Sequence, residues 1–157
     1  MIFQTGKNRL FISLLFITLL SGCKQIDVYE KNTLIPHYNW KHDYTATGTF
    51  NISDTSAPYN IYIVIRHQDA YMYNNIWLNV GLQSPGGPMY TQRIDISLAS
   101  DAEGWQGTGM NDIWEVRKLI SRRQMKQGTY SFSINHIMRD DPLPGIMSAG
   151  MRVKKAL

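Results

Sequence analysis

From residue 46 onward the chain alternates apolar and polar residues with a period of two, in short separate runs. In 59–66, Tyr59, Ile61, Ile63 and Ile65 oppose Asn60, Tyr62, Val64 and Arg66. In 76–83 the inward set is Ile76, Leu78, Val80 and Leu82, and in 90–98 it is Ile94, Ile96 and Leu98. Tyr130, Phe132 and Ile134 repeat the scheme after Gly128, and Ala149, Met151 and Val153 do so in 146–154, while Thr49-Phe50-Asn51-Ile52 follows it weakly. Side chains change face at every residue of a strand, so each run is a half-buried strand. Parallel strands, covered on both faces, would be apolar throughout, so the sheets are expected to be antiparallel.

Turn formers separate the runs. Ser53-Asp54-Thr55-Ser56-Ala57-Pro58 closes the first, Ser84-Pro85-Gly86-Gly87-Pro88 joins 76–83 to 90–98 as a hairpin, and Arg139 to Gly145 makes a rigid turn before the last strand. Six or more short strands predict an all-β antiparallel sandwich, jelly-roll or immunoglobulin-like, with a small closed barrel as the alternative. One short helix is expected after the glycine-bearing loop 99–110. Asp112-Ile113-Trp114-Glu115 has capping-box spacing, Ile113, Val116 and Ile120 could share a helix face, and Arg117, Lys118, Arg122 and Arg123 fall towards its end.

The first 23 residues bear on compartment. Lys7 and Arg9 precede the greasy run Leu10 to Leu20, which is too short for a mature spanning helix, for which ~20 apolar residues are needed. A basic start and a short apolar run form a secretory signal. The run ends in Leu20-Ser21-Gly22-Cys23, which resembles the lipobox of bacterial lipoproteins, and Cys23 is the single cysteine. Such a thiol takes diacylglycerol, and cleavage just before it leaves a lipidated N-terminus. The division that follows is a signal peptide over 1–22, a lipidated N-terminus and tether over 23–45, and the β-sandwich over 46–157. Loss of Lys7 and Arg9 lowers the net charge from +4 to +2. That small surplus and the export route exclude a nucleic-acid partner.

The chain resembles the gliding-motility lipoprotein family GldH. The residues that carry the resemblance are Ser21-Gly22-Cys23, Thr55 to Tyr62, Gly107 to Ile113 and Gly128 to Phe132, and above all Met138-Arg139-Asp140-Asp141-Pro142-Leu143-Pro144-Gly145-Ile146. The resemblance implies a motility-associated lipoprotein with Cys23 as its lipid-attachment residue. It brings no catalytic residues.

Catalytic motifs are absent from the sequence. There is no Gly-x-Ser-x-Gly elbow and no phosphate-binding glycine loop, and the single thiol is assigned to lipid. His37, His42, His67 and His136 have no metal-ligand spacing. His67 with Asp69 is better read as a polar strand end, and Asp140-Asp141 as turn capping, since adjacent acids point in different directions. No cofactor and no enzymatic activity are expected, although a small periplasmic hydrolase without a recognisable motif is a third possibility. The functional expectation is a membrane-anchored accessory lipoprotein with envelope protein partners. The other reading is a glycan-binding module that takes polysaccharide.

Two surface features are candidates for contact. If strands 59–66, 76–83 and 90–98 are neighbours, Tyr62, Trp77, Asn79 and Arg93 share a face on which aromatic rings beside amide and guanidinium groups can stack on sugars or bury into a partner. Alternatively, the short helix or a loop covers Trp77. The second feature is the cation set Arg117, Lys118, Arg122, Arg123 and Lys126. It reads either as a solvated helix end or as a contact with anionic lipid headgroups.

Overall fold

The structure, a computed structural model, describes residues 28–156. Cys23 and the signal segment lie outside those residues. Two antiparallel sheets face each other. The strands are β1 (Val28–Leu34), β2 (Asn39–Trp40), β3 (Ala46–Ile52), β4 (Tyr59–Gln68), β5 (Asn75–Gln83), β6 (Met89–Ser97), β7 (Ala99–Ser100), β8 (Gly104–Trp105), β9 (Thr108–Met110), β10 (Ile113–Arg123), β11 (Gly128–His136), β12 (Leu143–Pro144) and β13 (Ile146–Lys155). One sheet has the order β1-β13-β4-β10-β9 and the other β3-β11-β5-β6; β12-β2 and β7-β8 form small ladders. The sandwich and the hairpin of β5 with β6 agree with the sequence expectation.

The inward sets form the core. Ile61, Ile63 and Ile65 of β4 and Ala149, Met151 and Val153 of β13 face Leu78 and Val80 of β5 and Tyr130, Phe132 and Ile134 of β11, all buried. Each large side chain removed from water contributes roughly 1.5–3 kcal/mol. Val64 points to the opposite face of β4 yet is 1% exposed. Its cross-strand neighbours there are Arg117 and Gly150, and the stem of a long cation can cover an apolar neighbour.

Two segments differ from expectation. The helix expected from residue 112 is strand β10, paired with β4 from Ile113↔Gln68 to Arg123↔Tyr59 across a bulge between Leu119 and Ser121. Val116 and Ile120 stand four apart, a spacing that fits a helix turn and an even number of strand steps alike. Pairing with β4 settles the matter, because it buries Val116 over the core and leaves Arg117 and Lys118 exposed at the surface. The stretch 28–45, expected as tether and first loop, already belongs to the sandwich from Val28. β1 is an edge strand on β13, and Ile35 and Trp40 are buried in the core. The Trp40 Nε1–H donates to the Tyr44 carbonyl at 2.7 Å.

The strands run between two ends. At the near end lie the start of β1, the end of β13 and the turns 53–58, 84–88 and 124–127. At the far end lie the loops 35–45, 69–74, 98–112 and 137–145; backbone hydrogen bonds join 69–74 to 98–112 (Asp69 N–H to Asp112 O, 2.7 Å) and 137–145 to 35–45 (Gly145 N–H to Tyr38 O, 2.8 Å), and Ile137 N–H ties 137–145 to Trp77 O of β5 (2.9 Å).

Candidate binding face

The two outer faces differ in chemistry. On the β1-β13-β4-β10 side the charges interlock. Glu115 accepts from Arg66 at 2.5 Å and Arg117 at 2.6 Å, and Glu30 accepts from Arg152 at 2.6 Å with Arg117 at 4.0 Å. Burial pushes the Glu30 carboxyl up, but hydrogen bonds from Arg152 and Asn32 and the nearby Arg117 and Arg152 charges outweigh it and hold it below the usual range. The outer face of β3-β11-β5-β6 is nearly uncharged. The register places Thr47, Thr49 and Asn51 beside Thr129, Ser131 and Ser133, then Asn79 and Gln83, then Thr91. Arg93 and Asp95 are the only charges on these four strands that point this way.

Trp77, Asn79 and Arg93 meet on this nearly uncharged face. Asn79 and Arg93 are direct cross-strand partners, and Trp77 stands opposite Asp95. Trp77 is 43% exposed, so no helix or loop covers it. Tyr62 is not with them. It lies on β4 in the other sheet, opposite Leu119 and Arg152, among the interlocked charges. The sequence grouping failed because β4 and β5 are consecutive in the chain but belong to different sheets.

Beside Asn79 the face dips into a cavity of about 380 Å³ lined by His42, Asn79, Asn135, His136, Ile137 and Met138. Asn135 Nδ2 donates to Thr45 Oγ1 at 2.7 Å. The His42 ring lies 4.5 Å from the His136 ring, with Nε2 3.0 Å from the Met138 carbonyl and Nδ1 3.4 Å from Asp141 Oδ2. His136 is 2% exposed, and both of its ring nitrogens are buried. Burial, reinforced by His42, holds its pKa below the ordinary histidine value; the Trp40 backbone and Asp141 pull the other way without prevailing. Both ring nitrogens are buried, so the polar groups the hollow presents are the half-buried Asn79 and Asn135 amides and the exposed His42 ring. His42, Asn135 and His136 could not be picked from the sequence as a group. The far-end loops bring them together across about ninety residues, and no local motif announces it.

The other sequence candidates separate. His67 is fully buried at the end of β4 against Trp105 (4.6 Å between ring centres) and Tyr71 (5.7 Å), while Asp69 accepts from Trp114 Nε1 at 3.2 Å. Asp140 accepts from the Tyr73 hydroxyl at 2.7 Å and Asp141 from the His42 backbone N–H at 3.0 Å, so the two acids hold different parts of the turn. Among the described residues no group of three or more His, Cys, Asp or Glu is placed to hold a metal ion. No helix there is long and apolar enough to cross a membrane. A smaller cavity, about 170 Å³, opens between the sheets with Ile61, Val80 and Ile120 among its apolar lining and Gln92, Ser121 and Arg123 among its polar lining.

The family profile described as GldH lipoprotein matches residues 27–153, nearly all of the chain that the structure describes. The chain belongs to the GldH lipoprotein family. A gliding motility lipoprotein GldH homolog of Christiangramia forsetii is 27% identical over 156 residues, covering 93% of this chain and 94% of the relative. The gliding motility lipoprotein GldH of Flavobacterium johnsoniae is 26% identical over 152 residues, covering 92% and 94%. Both alignments are nearly full length, so this GldH family chain is matched as a whole and not through one shared motif. Among solved structures, an exo-beta-1,3-galactanase from Phanerochaete chrysosporium superposes with a TM-score of 0.40 at 10% identity, over 83% of this chain and 29% of that one. A likeness at that level establishes neither a shared fold nor a shared function.

Proposed function

We propose that this GldH family member is an accessory lipoprotein of the gliding-motility or cell-envelope machinery, held at a membrane of the envelope with its domain outside the cytoplasm. Cleavage after Gly22 and acylation of Cys23 supply the anchor, each buried lipid methylene contributing ~0.8 kcal/mol. The anchor confines the domain to one membrane face and so raises its effective concentration near partners there. The domain works without chemistry of its own, by holding the outer face of β3-β11-β5-β6 against an envelope protein. The observation that carries this is Trp77, exposed on a sheet face almost free of charge, while the opposite face is full of ion pairs. Interface cores are depleted in charge and enriched in aromatic residues, and their anchor residues are often Trp or Arg.

A photo-crosslinking side chain at Asn79, compared with one at Tyr62 in living cells, tests this reading. Adducts with a discrete envelope protein from position 79 and not from 62 support it. Equal yields from the two faces contradict it.

The hollow beside Asn79 favours a second reading, a glycan-binding module. Its Asn79 and Asn135 amides and the exposed His42 ring suit sugar hydroxyls, with the exposed Trp77 ring as a stacking platform. Retention of the protein on envelope polysaccharide, lost on Trp77→Ala, would favour this second reading over a protein partner.

A further inference from the structure

We propose that the near end of the sandwich docks on the anionic headgroups of the membrane that holds the anchor, which fixes the orientation of the domain. The inference rests on the reading that Cys23 carries the lipid. Only four residues separate Cys23 from Val28, where β1 begins. Five Cα steps reach at most ~18 Å when fully extended. The near end therefore cannot move far from the bilayer surface.

That end is where unpaired positive charge collects. Val28 pairs with Lys154; Lys154 and Arg122 both pair with Asn60, and Arg123 pairs with Tyr59. Lys126 is exposed in the adjoining turn. Among the described residues of this end the single acid, Asp54, is bound by Lys155. Arg122, Arg123, Lys126 and Lys154 make no ion pair among the described residues, whereas Arg66, Arg117 and Arg152 in the body of the same sheet are all paired with Glu30 or Glu115. Arg122 and Arg123 are not helix-end cations, because the helix expected there is strand β10. Of the five cations singled out in the sequence, Arg117 and Lys118 sit further along the strand, and Lys154 joins the group only through the fold.

The far end has the opposite sign. Its loops carry Asp43, Asp69, Asp101, Glu103, Asp112 and the Asp140-Asp141 pair against Lys41 and Arg139. A basic residue near an anionic membrane surface favours the docked state roughly fivefold within a Debye length of about 10 Å. Four such residues favour it several-hundredfold. The acidic end is repelled by the same surface. The domain therefore stands upright, with Trp77 and the His42–His136 hollow turned towards the space where partners are met.

The test uses the mature lipidated chain in vesicles, either neutral or containing phosphatidylglycerol. Because the lipid occupies the single native thiol, an added cysteine carries a fluorophore uniquely. Gln127→Cys reports the near end and Ala102→Cys the far end, both exposed positions. Quenching by headgroup-labelled lipid is expected to be at least threefold stronger at 127 than at 102 in anionic vesicles. The contrast is expected to shrink in neutral vesicles to what the short tether alone imposes, and likewise when Arg122, Arg123 and Lys126 are all changed to Glu, with the circular dichroism spectrum unchanged. Equal quenching at the two positions in anionic vesicles, or a contrast indifferent to lipid charge, overturns the proposal. Flotation separates this from failure of the anchor reading: an acylated chain floats with both vesicle types. If the chain proves to carry no lipid, flotation with anionic vesicles alone still supports the docking surface, and flotation with neither overturns it.

Discussion

Trp40→Ala is the sharpest test of where the folded domain begins, because Trp40 lies in a stretch whose sequence reads as tether. The side chain is fully buried, its ring lies 5.2 Å from that of His136, and its strand, β2, pairs with Leu143 of β12. Truncating a buried aromatic costs about 3–5 kcal/mol in transfer and cavity terms. The Tyr44 carbonyl also loses its 2.7 Å donor, which adds about 1 kcal/mol. The expected loss is about 4–6 kcal/mol, a large share of the ~5–15 kcal/mol typical of a domain. At roughly 3–5 °C per kcal/mol for a chain of this size, the melting temperature should fall by about 12–30 °C. Urea titration followed by circular dichroism reads the free energy, and a thermal scan reads the temperature. A loss under about 1 kcal/mol would refute the placement of 28–45 inside the sandwich and restore the tether.

Three other outcomes follow from the same contacts. Glu115→Gln leaves Arg66 and Arg117 facing each other without their shared carboxylate. Glu115 is 14% exposed but its partners are over 40% exposed, so solvent screening limits the loss to about 1 kcal/mol, measurable by urea titration and shrinking in high salt. Stability should also fall in mild acid. Burial holds His67 and His136 neutral below the ordinary histidine pKa, so the unfolded chain takes up protons first; their contribution is complete above pH ~6.5 and is lost as the pH falls through the depressed values. A urea midpoint that is flat from pH 7.5 to 5, or a slope unchanged by His136→Gln, would contradict this. Finally, Gly150→Ala should destabilise the β1–β13 edge, since a Cβ there would overlap the Lys31 carbonyl oxygen and the Asn32 side chain. Melting within 2 °C of the parent, where about 1–3 kcal/mol of overpacking is expected, would show that the edge can shift.

How much the sequence disclosed depended on how each strand is buried. β4, β5 and β11 are covered on one face and wet on the other, so their alternation was plain in the residues. β1 sits at a sheet edge with Tyr29, Lys31 and Thr33 on one face and Glu30, Asn32 and Leu34 on the other, and neither set is apolar enough to show a period. β10 misled because Val116 and Ile120 fit two periods at once and Asp112 to Glu115 imitates a helix start; only its partner β4 decides between them. Trp77, Asn79 and Arg93 could be grouped because one hairpin carries all three. Tyr62 was misplaced because local pattern does not say when a chain changes sheets. The pairing of His42 with His136 depends on far-end loops that no short-range rule predicts.

Intact-mass and peptide mass spectrometry of the protein purified from its own membranes reads the lipid anchor itself. The predicted result is an N-terminal peptide that begins at Cys23 and carries diacylglycerol on its sulfur, absent in a Cys23→Ser variant. A chain that retains Met1 and an unmodified Cys23 thiol would mean that no lipid holds the domain at a membrane.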